Sequence, residues 1–408
     1  MRAGNVSVHV AVIDATSVLD YVQSPTFGFW GMIMPDPPMD NAELKAIGDQ
    51  FGLSGEFVSA TPYGSGHIND TYLATYDQGN TQVRFILQRL NTKVFKNPDG
   101  VMSNIALVTD HQRQKLRDAG CADTGRRVLT LVKATDGANY VVTCGEDYWR
   151  IFLFIEGAST YDNIDSVDKA RQAAAAFARF QLDLEDFPAK SLNITIPDFH
   201  NTPQRYQQLL KAVEDDPAGR AALCQPEIEF AVRNEPLTSI ISDLQESGDV
   251  PVRIVHNDTK LNNVMLDDKT GEGICVIDLD TVMPGTVLTD FGDMVRSATI
   301  PGSEDGRDLS RARVRLPLFE AIASGYIGVA GKFLNTVELE HLAVSSQVIT
   351  IELGMRFLAD YLTGDTYFKT NRENHNLDRC RTQFALAEDM ERQMQTMTKR
   401  VTEIGEAQ

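Results

Sequence analysis

The sequence of 408 residues is short of cysteine, of tryptophan and of long apolar runs, and it has no excess of positive charge. No stretch of about 18 uncharged apolar residues occurs, so no membrane-spanning helix is predicted. The 38 basic and 57 acidic residues give a formal net charge of −19, which disfavours binding to nucleic acid or anionic lipid. Five cysteines without a C-x-x-C pair favour reduced thiols in a cytoplasmic protein.

What is present is the composition of a globular protein, with 42% hydrophobic and 23% charged residues. There is no internal repeat or low-complexity tract, and the length allows roughly two to three domains. Residues 1–38 contain several prolines and show no clear period, so we expect an extension of unknown role there and not a secretory signal. Nothing in the sequence points to an obligate protein partner.

The first half of the chain is predicted to be a small antiparallel sheet with one or two helices. A helix capped by Asp40 or Asn41 comes first, and short β-branched or aromatic runs typical of strands follow it. The predicted strands cover 57–61, 71–76, 83–90 and 148–156. A further hairpin is predicted from 128–132 and 140–143. We place the end of the first lobe at Glu156.

The second half of the chain changes to a mostly helical pattern. The predicted helices cover 167–184, 202–213, 226–246 and 337–362. Short strands are predicted at 250–255, 264–266 and 274–279. The fold class is therefore expected to be α+β with two lobes, a small β-rich lobe at 39–156 and a larger helical lobe at 157–408. A cleft between two lobes is a common ligand site.

The most informative segment runs from His256 to Asn263 and has the form H-x-D-x-x-x-x-N between two predicted strands. Asp278 follows in a strand that reads I-D-L-D. A turn at 267–273 would join the two strands into a hairpin and bring Asn263 and Asp278 to the same end. Because Asp258 lies on the loop before the hairpin, we expect two carboxylates and one amide oxygen to converge.

Phosphoryl transfer requires such a set of groups, because the protein mainly positions the reactants and neutralises charge. Mg²⁺ prefers hard oxygen ligands, which Asn263 and Asp278 would supply. Asp258 would accept the proton of the attacking hydroxyl as the catalytic base. The alternative is an ordinary loop capped by Asx side chains, but the flanking strands and the I-D strand favour a kinase.

These motifs resemble the aminoglycoside phosphotransferase and choline kinase superfamily, which has the protein-kinase fold. Within that superfamily the motifs are similar above all to those of bacterial N-acetylhexosamine 1-kinases. The matching segments are 62–69, 85–88, 224–228, 256–263, 277–285, 290–293 and 354–362. The resemblance covers about residues 40–400. It implies ATP- and Mg²⁺-dependent phosphorylation of the anomeric hydroxyl of N-acetylglucosamine or N-acetylgalactosamine.

The resemblance also implies a nucleotide site in the first lobe. The glycine-containing loop after the first strand would cover the phosphates, and a plain hairpin turn is the alternative. The segment between the lobes would form a hinge against the adenine. The residues implied for ATP are Gly64, Ser65, Gly66, Phe154, Ile155 and Glu156. Gln88 occupies the strand position where protein kinases have a lysine, which leaves the phosphate charge to Mg²⁺, loop amides and a nearby arginine.

The second lobe is expected to bind the sugar. Arg356 offers a fork of donors, and Tyr367 offers a ring to the face of a pyranose. The alternative for Arg356 is an ion-pair ladder with Glu352 and Asp360 on a solvated helix face. Asp290, in a D-F-G tripeptide off the hairpin, is expected to order the catalytic loop or line the sugar pocket. The residues expected to contact the acceptor are His67, Asp258, Thr281, Asp290, Arg356 and Tyr367; His67 could instead cap its turn.

Two other functions stay open from the sequence. The first is a kinase for another small acceptor, such as a different sugar, an aminoglycoside, homoserine or a choline-like amine; an arginine in the pocket would argue for a neutral one. The second is a catalytically dead nucleotide-binding module. The missing strand lysine is its only support, and the intact Asp258, Asn263 and Asp278 argue against it. The preferred sugar epimer and the oligomeric state are not predicted.

Overall fold

The computed structural model describes residues 39–64, 68–143, 145–162, 166–299 and 306–408. The expected extension at residues 1–38 lies outside these ranges. Asp40–Gln408 pack as one unit, in which an antiparallel sheet is followed by a helical region. The α+β class with two lobes is confirmed.

The first lobe is a five-stranded antiparallel sheet with three helices. Its elements are α1 (Asn41–Asp49), β1 (Glu56–Pro62), β2 (Asp70–Asp77), β3 (Gln82–Leu90), α2 (Pro98–Asp118), α3 (Thr124–Arg127), β4 (Val141–Val142) and β5 (Tyr148–Leu153). The strand order is β1-β2-β3-β5-β4. This order places β3 and β5 side by side, with Gln88 opposite Arg150.

The hairpin expected from 128–132 and 140–143 is wrong. The amide of Val132 donates to the carbonyl of Ile151 at 2.9 Å, and β4 pairs with the start of β5. Both segments therefore bond to the open edge of β5 and not to each other. Residue spacing alone does not reveal which edge a strand joins, because pairing depends on the register of the whole sheet.

The second lobe contains short strands surrounded by helices. Its elements are β6 (Ala158–Ser159), α4 (Val167–Asp183), α5 (Thr202–Asp215), α6 (Gln225–Arg233), α7 (Glu235–Thr238), α8 (Ile240–Glu246), β7 (Arg253–Val255), β8 (Val264–Asp267), β9 (Gly273–Val276), β10 (Met283–Gly285), α9 (Val287–Thr299), α10 (Leu316–Ala330), α11 (Thr336–Leu362) and α12 (His375–Glu406). The long helical stretch expected at 226–246 is divided into three helices. Pro236 lies in the first turn of α7, the position in a helix that tolerates proline.

Helix α11 is the central element of the second lobe. It packs against α12, α9 and α5, and Met355 and Leu358 on it are fully buried. Among the described residues it is the one helix long and apolar enough to cross a membrane, but 78% of its apolar window is buried inside the protein. Its apolar surface therefore serves the core of this lobe.

Candidate active site

The segment between β7 and β8 is held by Asp290 in the first turn of α9. One Asp290 oxygen accepts from the amide of Asn257 at 2.7 Å, and the other accepts from the amide of His256 at 2.8 Å. The Gln181 amide also donates to it at 2.7 Å. Asp290 has no exposed surface, so it orders the loop from behind. This corrects the expectation that Asp290 contacts the acceptor.

Thr281 belongs to the same framework. Its hydroxyl donates to the carbonyl of His256 at 2.7 Å, and its own carbonyl accepts from the side chain of Asn257 at 2.9 Å. The His256 ring reaches the carbonyl of Ile277 at 2.9 Å, which connects the loop to the end of β9. Because the Thr281 hydroxyl is used and nearly buried, its predicted role in substrate binding is replaced by one in loop structure.

Asp258 is the loop residue that faces outward. The Asn263 side chain donates to the Asp258 carbonyl oxygen at 2.9 Å and lies 3.4 Å from its carboxylate. The ammonium group of Lys260 lies 3.6 Å from the other carboxylate oxygen. The carboxylate remains partly exposed, as a group that receives a proton from a bound reactant must be. Lys260 was not among the predicted site residues, although it lies two residues after Asp258 in the sequence.

Asp278 lies at the same end of the β8–β9 hairpin as Asn263. Val264 is opposite Val276, and the amide of Ile277 donates to the carbonyl of Asn263 at 2.9 Å. Asp278 has a left-handed backbone, with φ 59° and ψ 56°. Its side chain is exposed and has no hydrogen-bond or ion-pair partner among the described residues. The expected convergence of Asp258, Asn263 and Asp278 therefore agrees with the register of the hairpin.

The charges around Asp278 favour a bound cation. The surrounding protein leaves the Asp278 carboxylate less well hydrated even though its surface reaches solvent, and the negative charges of Asp280 and Asp258 add to this effect, so its pKa is raised to about 7. Within the described residues no group of three or more His, Cys, Asp or Glu forms a metal site. One carboxylate and one amide oxygen nevertheless suit Mg²⁺, which takes few protein ligands and fills its shell with water and phosphate oxygens. Asn263 and Asp278 thus fit this ion.

Asp280 connects the two lobes beneath this site. It is 2% exposed and pairs with Arg150 of β5 at 2.5 Å, while the Asn69 side chain donates to its other oxygen at 2.7 Å. Two nitrogens of Arg150 donate to the Gln88 side-chain oxygen at 2.9 and 2.6 Å. Gln88, at the position of the kinase lysine, therefore orients a buried arginine. Sequence reasoning did not identify Arg150, because β3 and β5 are far apart in the chain.

The predicted nucleotide residues are only partly described. Gly64 has φ 82°, a left-handed conformation that favours glycine, whereas Ser65, Gly66 and His67 lie outside the described residues. The ring of Tyr63 meets that of Phe154 at 5.9 Å, so the loop begins beside the expected hinge.

In the expected hinge, both backbone groups of one residue lack a hydrogen-bond partner among the described residues. The Phe154 amide donates to the Arg84 carbonyl at 3.1 Å, and the Glu156 carbonyl accepts from Arg126 at 3.0 Å. The backbone of Ile155 has no partner among the described residues. A planar ligand with both a donor and an acceptor edge would find its hydrogen bonds there.

Arg356 lies among aromatic rings on the other side of Asp258's loop. Its guanidinium group is 5.2 Å from the ring of Phe199, 6.0 Å from Tyr367 and 5.7 Å from Phe368. Tyr367 is 56% exposed, so its ring is available to a ligand. A positive charge beside an open aromatic ring suits a neutral or anionic polar ligand better than a cationic one.

The alternative of a solvated ion-pair ladder on α11 is wrong. Glu352 is 1% exposed and Asp360 is 5% exposed. Glu352 accepts from Thr202 at 2.6 Å and contacts His200 at 2.8 Å. Asp360 accepts from the amide of Tyr367 at 2.8 Å and thereby shapes the segment that carries this ring. A four-residue spacing predicts that side chains share a helix face, but not whether that face is buried.

The arrangement is similar to several solved structures. An aminoglycoside phosphotransferase from Alicyclobacillus acidocaldarius subsp. acidocaldarius DSM 446 is 13% identical with a TM-score of 0.62, over 91% of this chain and 99% of that chain. Spectinomycin phosphotransferase APH(9)-Ia, in complex with ADP and spectinomycin, is 11% identical with a TM-score of 0.53, over 87% and 99%. Choline kinase from Cryptosporidium parvum Iowa II is 12% identical with a TM-score of 0.53, over 87% and 97%. At such identities the likeness shows the fold.

Residues 59–321, more than half of the chain, match the family model APH, the phosphotransferase enzyme family. The chain belongs to this family and is a phosphotransferase. The expected superfamily is thereby confirmed. These comparisons show the family and not the acceptor, which is a separate question.

Proposed function

We propose that this protein is an ATP-dependent anomeric kinase of N-acetylhexosamines. It would convert N-acetylglucosamine or N-acetylgalactosamine into the sugar 1-phosphate and release ADP. The observation that carries the proposal is the partly exposed Asp258 carboxylate, which Asn263 contacts, at the end of the β8–β9 hairpin where Asp278 lies. The motif resemblance supplies the class of sugar.

Asp258 would orient the anomeric hydroxyl of the acceptor and take its proton as the oxygen attacks the γ-phosphorus. Lys260, at 3.6 Å from Asp258, would place a positive charge near the transferred group. Asn263 and Asp278 would hold magnesium, which supplies positive charge against the phosphate oxygens. Most of the rate would come from positioning, because the chemistry itself requires little from the protein.

ATP would lie between the glycine-containing loop and the inter-lobe segment. The backbone of Ile155 supports this placement, because neither its amide nor its carbonyl has a hydrogen-bond partner among the described residues. Gly64, Ser65 and Gly66 would approach the phosphates, and the rings of Tyr63 and Phe154 would border the base. Spectinomycin phosphotransferase, which has this fold, binds ADP.

The sugar would lie against Arg356 and Tyr367. Arg356 would donate to hydroxyl or acetamido oxygens, and the exposed ring of Tyr367 would cover a C–H face of the pyranose. A choline-like amine or an aminoglycoside would instead meet the positive charge of Arg356. A neutral sugar therefore fits this wall better. A cytoplasmic location stays a prediction from the cysteine content.

The test is phosphorus NMR of the product formed from ATP, Mg²⁺ and a panel of acceptors. N-acetylglucosamine and N-acetylgalactosamine should give a sugar phosphate coupled to the anomeric proton. The matched control is each sugar with its anomeric oxygen methylated, which should not react. The same panel contains choline and spectinomycin. Turnover of these cations alone, or phosphate on another hydroxyl, would disprove the proposal.

A further inference from the structure

His200, on the segment before α5, lies between two hydrogen-bond acceptors. Its Nδ1 is 2.8 Å from a Glu352 carboxylate oxygen, and its Nε2 is 3.1 Å from the carbonyl oxygen of Asn257. A neutral imidazole has only one N–H, so it can donate to only one of them. Both bonds form together only when the ring carries two protons. The geometry therefore indicates an imidazolium ion paired with Glu352.

The surroundings of His200 favour this charged state. Burial alone lowers the pKa of His200, but the charge of Glu352 and the hydrogen bond to it outweigh burial and raise the pKa above its usual value. The other charged groups that face this pair are Arg356 of α11, Asp293 of α9 and Arg205 of α5. Glu352 is 1% exposed, so water does not replace its partner.

The carbonyl that His200 holds belongs to the peptide group leading to Asp258. Asn257 has φ 65°, a left-handed conformation. Asp290 holds its amide and Thr281 holds its side chain. His200 holds the carbonyl of the peptide between Asn257 and Asp258, and the amide of this peptide donates to Nδ1 of His256 at 3.3 Å. Without His200 only the longer bond to His256 would hold this peptide, so the peptide could tilt and the carboxylate of Asp258 would move with it.

The pair of His200 and Glu352 also lies close to Arg356, which is proposed to bind the acceptor together with Tyr367. Arg356 lies one helical turn after Glu352 on α11, and its guanidinium group packs on the ring of Phe199 at 5.2 Å. The rings of Phe199 and His200 are 4.7 Å apart. A short chain of contacts thus runs from Arg356 through Phe199 and His200 to the loop of Asp258.

We propose that His200, kept cationic by Glu352, is a positioning residue that fixes Asp258 and connects it to the acceptor wall of α11. The inference rests on the proposed function only for the role of Asp258 in transfer. The charged state of His200 and its bond to Asn257 are independent of which acceptor the enzyme uses.

The first test is NMR of the ring nitrogens of the seven histidines in the full chain. His200, assigned by its loss in His200→Phe, should carry two protons at neutral pH. In Glu352→Gln it should be neutral, because a glutamine amide can donate to Nδ1 while Nε2–H still bonds Asn257. A neutral His200 in the wild type would overturn the proposal without any assay of turnover, so this result is separate from the identity of the substrate.

The second test is a pH profile of kcat with whichever acceptor the panel identifies. His200→Phe should lower kcat about tenfold to hundredfold, the loss expected from a misplaced catalytic group, and leave KM for ATP unchanged. In the wild type kcat should fall as the pH rises through the pKa of His200, and Glu352→Gln should remove this decline. His341→Phe, which removes a half-buried histidine elsewhere on α11, is the control. An unchanged kcat in His200→Phe, or the same alkaline decline in Glu352→Gln, would overturn the proposal.

Discussion

The two lobes hold the polar groups of the site in different ways. On the side of the second lobe, Asp258, Asn263 and Asp278 come from one loop and one hairpin, and bonds between near neighbours in sequence place them. On the side of the first lobe, Gln88 and Arg150 come from strands far apart in the chain, and Arg150 then pairs with Asp280. The first arrangement follows from local chain geometry, whereas the second exists only in the folded sheet.

The difference concerns how each side compensates charge. The local group leaves Asp278 without a partner among the described residues, which suits an ion that arrives with the nucleotide. In the distant group Arg150 and Asp280 are each 2% exposed, and their opposite charges offset each other across the two lobes. At the position of the strand lysine this enzyme has a glutamine, which orients an arginine of the neighbouring strand.

The largest expected effect is on the local side. Asp258→Asn should lower kcat by about 10²–10⁴-fold, because the amide cannot take the proton of the acceptor hydroxyl. The change is nearly isosteric, so ADP binding measured by calorimetry should stay the same. Asp268→Asn, which changes an exposed aspartate in the turn between β8 and β9, is the matched control. A near wild-type rate in Asp258→Asn would remove Asp258 from the chemistry.

The next effect tests the distant side. Arg150→Met should destabilise the protein by about 3–5 kcal/mol, because it leaves Asp280 buried and unpaired. Arg89→Met, on the neighbouring strand β3, removes more exposed pairs with Asp70 and Asp147 and should cost about 1 kcal/mol. Denaturant unfolding of both variants measures the difference. If both variants lost the same free energy of unfolding, the buried pair of Arg150 and Asp280 would contribute no more to stability than an exposed pair.

A smaller effect concerns the pH dependence of Asp278. Because its pKa is raised to about 7, the folded protein holds the proton of Asp278 more tightly than the unfolded chain does. Protonation of Asp278 therefore stabilises the free protein at low pH, and this stabilisation is lost as the pH rises through about 7. Magnesium binding requires the ionised form, so its dependence has the opposite sign. Affinity for ADP with Mg²⁺ should increase about tenfold from about pH 6 to about pH 8, since one proton leaves.

Calorimetry at several pH values measures this increase in affinity for ADP with Mg²⁺. Asp278→Asn is the control, because it has no ionisable group and should show a flat profile. A flat profile in the wild type would show that Asp278 is not the ligand that releases the proton.

Much of the local side could be predicted from the sequence. The spacing of Asn263 and Asp278 around one turn predicts their common end of the hairpin, and the position of Asp290 off that hairpin predicts a contact with the loop. Hydrogen bonds close in sequence follow from strand register and turn length, which residue types reveal. The two-lobed order follows in the same way, from the change of period near Glu156.

Contacts between residues far apart in the chain, in either lobe, could not be predicted for a physical reason. Arg150 and Glu352 are charged residues that become buried, and composition alone places such residues on the surface. Their burial depends on partners from other elements, Asp280 and His200 in this case. A pattern within one helix or strand contains no information about those partners. The solvated ladder expected on α11 failed for this reason.

The smallest expected effect is on the stability of α1, where two adjacent residues make a local contact and a distant contact. Asp40 caps α1 by accepting from the amides of Ala42 and Glu43, each at 2.8 Å, so Asp40→Ala should cost about 1 kcal/mol. Asn41, the other candidate for this cap, instead accepts from the amide of Ala60 in β1 at 2.7 Å. Asn41→Ala leaves that amide in a partly buried site without its acceptor, which costs about 1–3 kcal/mol.

Denaturant unfolding of both variants should therefore rank Asn41→Ala as the more damaging, although only the cap follows from local sequence. Asp49→Ala, which removes an exposed ion pair with Lys45 at the other end of α1, controls for a general weakening of the helix. If Asp40→Ala proved the more costly, the local cap would outweigh the bond to the sheet. In the structure the bond between Asn41 and Ala60 fixes α1 against β1. That result would mean that the position of α1 depends less on this bond than we expect.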